Sequence, residues 1–201
     1  MFNNPFFRDR VFLICNSLSE KQLLELKEDI IKADNAGKGP IYLGIDSNGG
    51  NIFPALHLID AIGFLDNPIV GIVIGRCMSA AFTLLQKLNL RLATPRSSFL
   101  IHSPRMTVEI FAMHSDREIN MILREATSSL RMCQRQTLEI ISARTGISIK
   151  QLERMIRAGD RYERQYSVQE ALELGFVDSI VENEEQIMEI TKTKFSSVFQ
   201  S

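Results

Sequence analysis

The 201-residue chain has no tryptophan, only three cysteines and no run of positive charge. Cys15, Cys77 and Cys133 are odd in number, far apart and outside any Cys-x-x-Cys spacing. That excludes a disulfide framework and a zinc site, and it points to a reducing compartment. Lys and Arg number 23 against 24 Asp and Glu, a net charge of −1. With no basic block, neither nucleic acid nor an anionic membrane is an expected partner. Nowhere do apolar residues run uninterrupted for the ~18 positions that a spanning helix needs. The opening "MFNNPFFRDRVFLIC" is broken by Arg8, Asp9 and Arg10, so no secretory leader is expected and a cytoplasmic protein is. No linker, low-complexity segment or repeat interrupts the sequence.

What is present is a core-building pattern. Apolar residues make up 45% of the chain, enough for one substantial core and hence one domain. "RVFLIC" (10–15) predicts a strand, and the stretch from Ser19 to Gly37 predicts a helix with Leu23, Leu26, Ile30 and Ala33 on one face. "PIYLGID" predicts a second strand, "SNGG" a turn, and "IFPALHLIDAIGFL" a helix broken at "DNP". "IVGIVIG" is apolar throughout, as a central strand buried on both faces must be, and "SAAFTLLQKL" returns to helix. "RLATPRSSFLIHSP" predicts a strand ending at His102. A long helix is predicted from Asp116 to Arg144, ended at Gly146. Two shorter helices follow, with Ser148 and Ser167 as caps and Gly159 and Gly175 as stops, and "FVDSIV" closes the pattern as a strand. "KTKFSSVFQS" carries no firm pattern. This alternation implies an α/β fold with a mainly parallel sheet, whose ligands gather at the carboxyl ends of the strands. The turns "DSNGG", "GRCMSA" and "IHSP" all lie there.

Those turns hold the residue types of nucleophilic catalysis. A serine hydroxyl needs a base, and an imidazole acting as that base needs a partner to fix its tautomer. Ser79 stands at a strand-to-helix junction between small residues; a serine there is otherwise a helix cap. His102 ends a strand on the same sheet edge; His57, inside an apolar helical run, reads as packed, and His114 as a surface residue. The Gly49–Gly50 pair lets backbone amides approach a ligand, or simply makes a turn. The amide of Ala80, beside the serine at a helix start, is a second donor for an oxyanion hole.

"DSNGG", "GRCMSAAF", "RLATPRSSFLIHSP" and "YSVQEALELGFVDSI", in this order, resemble the Clp protease proteolytic subunit, the ClpP family of serine peptidases. The resemblance runs from Arg10 to Val181. It implies a fold of repeated β-β-α and βαβ units, as in ClpP and crotonases, with a mainly parallel sheet and a long protruding handle helix. As a single peptidase domain over 1–201, the head takes about 1–104 and 145–190 and the handle about 105–144. By the resemblance Ser79 is the nucleophile, His102 the general base, and the amides of Gly49 and Ala80 the oxyanion hole. The third member falls on Glu163, four residues before Ser167, with Asp160 as the alternative because "AGDRYERQ" is longer than the family's equivalent. Asp178, in the last strand motif, reads as structural.

The implied activity is a serine endopeptidase of the ATP-dependent type, cleaving unfolded polypeptides inside a ring-shaped chamber without metal or organic cofactor. Implied partners are copies of itself in hexameric or heptameric rings, single or stacked in two, a paralogous ClpP subunit, and a Clp-type AAA+ ATPase. Several positions depart from the family: Asn48 replaces a proline, Ser103 a glutamine, and "RMTVEIF" a segment that carries two glycines beside the substrate and between rings. The handle helix is longer and the segment before the first strand shorter, which bears on gating and ATPase docking. These departures motivate an alternative, a catalytically weak ring subunit with a structural or regulatory role. A crotonase-type acyl-CoA enzyme is a third reading, and it leaves Ser79 and His102 unexplained.

Overall fold

Serine decides where four of the helices begin. In a computed structural model that describes residue 7, residues 9–159 and residues 163–198, Ser19, Ser115, Ser148 and Ser167 each form a reciprocal capping box. Their partners are Gln22, Glu118, Gln151 and Glu170 respectively. Each cap satisfies amides that the first helical turn leaves unpaired, a contribution of about 1 kcal/mol. The elements run β1 (Val11–Leu18), α1 (Glu20–Asn35), β2 (Ile41–Gly50), α2 (Ile52–Ile62), β3 (Ile69–Met78), α3 (Ala80–Leu85), β4 (Leu90–Ala93) and β5 (Ser98–His102). They continue with α4 (Asp116–Thr145), α5 (Ile149–Ala158), β6 (Glu163–Ser167), α6 (Val168–Glu173), β7 (Ser179–Ile180) and α7 (Glu184–Lys194).

The sheet order is β1-β2-β3-β4-β7, with every one of these pairs parallel. Alternate residues of its central strands enter two different cores. Ile41, Leu43, Ile45, Ile69 and Val73 face the larger core with residues of α1, α2 and α3. Tyr42, Val70 and Ile72 face a smaller one closed by Ile187 of α7. The continuous apolar character of "IVGIVI" follows from this two-sided burial.

The sheet forks at β3. Its first half, Val70–Val73, pairs with β4, and its second half, Arg76–Met78, pairs with β5. β5 in turn pairs antiparallel with β6, placing His102 opposite Glu163. α4 is 30 residues long, about 45 Å at 1.5 Å per residue. Its buried residues are Cys133, Leu138 and Ile141, all in the second half, while Met121 and Leu123 stand exposed. The helix ends at Gly146, whose φ of 76° suits a left-handed cap.

Four sequence expectations change. "SNGG" is the end of β2 rather than a separate turn, because it stays paired with Ser17 and Leu18 across a bulge. "RLATPRSSFLIHSP" holds two strands, β4 and β5. "FVDSIV" contributes only Ser179–Ile180 to the sheet. His57 is exposed on the outer face of α2, not packed, since Leu58 and Ile59 take the buried positions. Two elements carry no strong local signal: β6 buries only Tyr166, and α7 buries only Ile187 and Thr191. Partners distant in sequence specify both.

Candidate active site

Ser79 occupies the sharp corner where β3 becomes α3. Its φ of 56° and ψ of −123° are unusual for a residue with a side chain, and its hydroxyl makes no cap bond to the helix. Such a conformation costs on the order of 1–3 kcal/mol and persists where neighbours hold it. Here the Ser79 amide donates to the Leu100 carbonyl of β5 (2.9 Å), and its carbonyl accepts from the Thr83 amide (3.1 Å). A strained strand-to-helix corner presents a serine oxygen to the space above a sheet.

The same β3–β5 pairing delivers the histidine. His102 is the last residue of β5, and its Nε2 lies 2.7 Å from Ser79 Oγ although 23 positions separate them. Nδ1 lies 2.5 Å from the Ser103 carbonyl oxygen. A carbonyl can only accept, so the proton sits on Nδ1 and Nε2 is left to accept from the serine hydroxyl. In this tautomer the imidazole can act as a general base.

Gly49 closes the floor beside Ser79. Its φ is 84°, and a Cβ there would lie 2.5 Å from the Met78 carbonyl oxygen and 2.7 Å from Ser79 Cβ. No other residue type fits this contact. The Gly49 amide donates to Ser47 Oγ (3.1 Å), whose hydroxyl donates to the Asn16 carbonyl (2.6 Å). The Ala80 amide, in the first turn of α3, has no acceptor within the helix. Ser79, His102, Gly49 and Ala80 border one cleft of about 530 Å³, which Phe53 and Leu130 also line. A larger hollow of about 880 Å³, between α2 and α4, contains neither Ser79 nor His102.

The acidic candidates part company. The Glu163 carboxylate is not on His102: Oε2 lies 2.5 Å from an Arg105 guanidinium nitrogen. Asp160 lies outside the described residues. Asp178 is remote from His102 and binds Arg91 through both carboxylate oxygens, at 2.6 and 3.2 Å, with Arg144 at 3.3 Å. Burial alone would raise the Asp178 pKa, but the hydrogen bonds and charge of Arg91 outweigh it, and the carboxyl titrates below the ordinary range. Cys133 also lines the cleft, and burial pushes its thiol pKa up, which keeps it protonated and poorly nucleophilic.

A profile of the Clp protease family matches residues 2–184 of the chain. The chain belongs to the Clp protease family. Among its relatives is an ATP-dependent Clp protease proteolytic subunit of Chlorella vulgaris, 28% identical over 181 residues, covering 88% of this chain and 84% of that protein. Proteolytic subunit 1 of Leifsonia xyli is 32% identical over 170 residues, covering 84% and 77%. Proteolytic subunit 2 of Tropheryma whipplei is 30% identical over 177 residues, covering 86% and 91%. These identities make the present chain a divergent member. Among the described residues no group of three or more His, Cys, Asp or Glu could hold a metal ion, and no helix is long and apolar enough to cross a membrane.

The sequence reading singled out neither of two further groups at this cleft. One is the Ser103 carbonyl, since any residue supplies a carbonyl. The other is Arg105, whose partner lies 58 positions away. The departure of "RMTVEIF" from the family pattern was the available pointer to Arg105.

Proposed function

We propose that this Clp protease family member is a serine endopeptidase in which Ser79 attacks the peptide carbonyl and His102 takes the serine proton. The reading is carried by the 2.7 Å approach of Ser79 Oγ to His102 Nε2, made from a corner conformation that no cap bond explains. His102 then returns the proton to the leaving amine, and water hydrolyses the acyl-enzyme by the same relay. The tetrahedral oxyanion sits against the Ala80 amide and the diglycine bend. Recruiting the Gly49 amide requires its bond to Ser47 to open. Glu163 is the proposed orienting carboxylate, since it stands across the β5–β6 rung from His102.

The rest of the reading comes from the family. One peptidase domain comprises a head at about 1–104 and 145–190 and a handle at about 105–144. It assembles into hexameric or heptameric rings, single or stacked, that enclose the sites and admit unfolded polypeptide. A paralogous subunit and a Clp-type ATPase are the partners this implies, in the cytoplasm. The exposed first half of α4 is consistent with a handle that meets another copy.

A second reading, a weakly active ring subunit with a structural or regulatory role, is favoured by one observation: Arg105 holds Glu163. Fluorophosphonate labelling of the assembled protein tests both. Stoichiometric modification of Ser79, with casein hydrolysis falling roughly 10⁴-fold or more in Ser79→Ala, supports the peptidase. An unmodified Ser79 would sink it in favour of the second reading.

A further inference from the structure

Arg105 is the one permanently charged residue lining the cleft, and no Asp or Glu lines it, among the described residues. It follows His102 by three positions. Its side chain is 62% exposed, so its guanidinium is open to an incoming chain. The same guanidinium holds Glu163, which the β5–β6 register places opposite His102. While Arg105 keeps that carboxylate, His102 Nδ1 has only the neutral Ser103 carbonyl. A carbonyl fixes the tautomer, but it stabilises the imidazolium formed during attack less well than a carboxylate does.

We infer that Arg105 is a latch read by substrate: an acidic side chain near the scissile bond takes its guanidinium, and Glu163, released, turns to orient His102. The inference rests on the peptidase reading above and adds a substrate class to it, polypeptides with Asp or Glu close to the cleaved bond. The exchange is energetically feasible. An exposed Arg–Glu pair is worth at most ~1 kcal/mol, and a guanidinium binds an incoming carboxylate through two parallel bonds. Arg105 is therefore a positioning residue that acts through Glu163.

The test uses the full chain in its assembled state and fluorogenic peptides identical except for Asp or Asn at one position, scanned two residues to either side of the cleaved bond. At one position kcat for the Asp peptide is expected to exceed that for Asn about fivefold, the factor matching release of such a pair. Arg105→Ala and Arg105→Gln are expected to raise kcat on the Asn peptide to within about twofold of the Asp value, and Arg105→Lys to keep part of the difference. A preference confined to KM, or an Asn-peptide kcat that Arg105→Ala leaves unchanged or lowers, overturns the latch. Fluorophosphonate separates the two levels. Labelled Ser79 with no charge preference removes the latch alone, whereas unlabelled Ser79 in wild type and all Arg105 variants removes the peptidase reading and the latch with it.

Discussion

Arg91 binds Asp178 from a buried position, and Arg105 binds Glu163 from an exposed one at the rim of the cleft. Arg91 is 4% exposed, and besides Asp178 it donates to Gln86 Oε1 (2.7 Å) and the Gly175 carbonyl (2.8 Å). Asp178 is also met by Arg144 and accepts from the Arg91 amide. The Arg91 guanidinium has been taken out of water, while the Asp178 side chain keeps 31% of its exposure, so removing the carboxylate strands a buried cation. Arg105 and Glu163 share a single bond in solvent, where either can exchange its partner for water at small cost. The pair on buried Arg91 therefore ties β4 to the chain before β7, and the rim pair can exchange partners.

The comparison can be broken at several levels. The largest effect is expected from Asp178→Ala, which takes the carboxylate from buried Arg91 but leaves it Gln86 and the Gly175 carbonyl; the urea midpoint should fall by the equivalent of about 1.5–3 kcal/mol. A loss below about 1 kcal/mol would place this pair in the same class as the rim pair. Acid should reveal the same difference. Because the Asp178 pKa is depressed in the folded state, its stabilisation is present above the ordinary carboxyl pKa of about 4 and is lost as pH falls through the lower, folded value. Chemical denaturation of wild type and Asp178→Asn at pH 7 and near pH 2–3 should show the gap between them narrowing in acid. The smallest effect is expected at the rim, where a double-mutant cycle of Arg105→Ala and Glu163→Gln should give a coupling of roughly 0.2–1 kcal/mol in stability. A larger coupling would make the rim pair a structural tie and argue against its exchange with substrate.

The site is partly legible in the amino-acid sequence. Local burial and turn chemistry put Ser79 just after one strand and His102 at the end of another, but read alone they fit a helix cap and a structural histidine; the resemblance to the Clp protease family gave them their roles. Glu163 was legible as a position, through its offset from Ser167, but not as a contact. Whether a carboxylate turns to an imidazole or to a guanidinium depends on Arg105, which the chain brings alongside only through the β5–β6 pairing. β6 itself was missed for the same reason: "ERQYS" has no alternation, and β5 supplies its strand conformation.

What the amino-acid order determined by itself was everything written at short range. It set the serine capping boxes, the stop at Gly146 and the two-faced burial of "IVGIVI". Tertiary structure alone decided the fork of β3, which hands its lower half to β4 and its upper half to β5 and so sets the serine and the histidine 2.7 Å apart. It likewise gave two arginine–carboxylate pairs of the same chemistry one buried arginine and one exposed arginine. The physical reason is that such outcomes depend on desolvation and on partners far along the chain, and neither is encoded in any local run of residues.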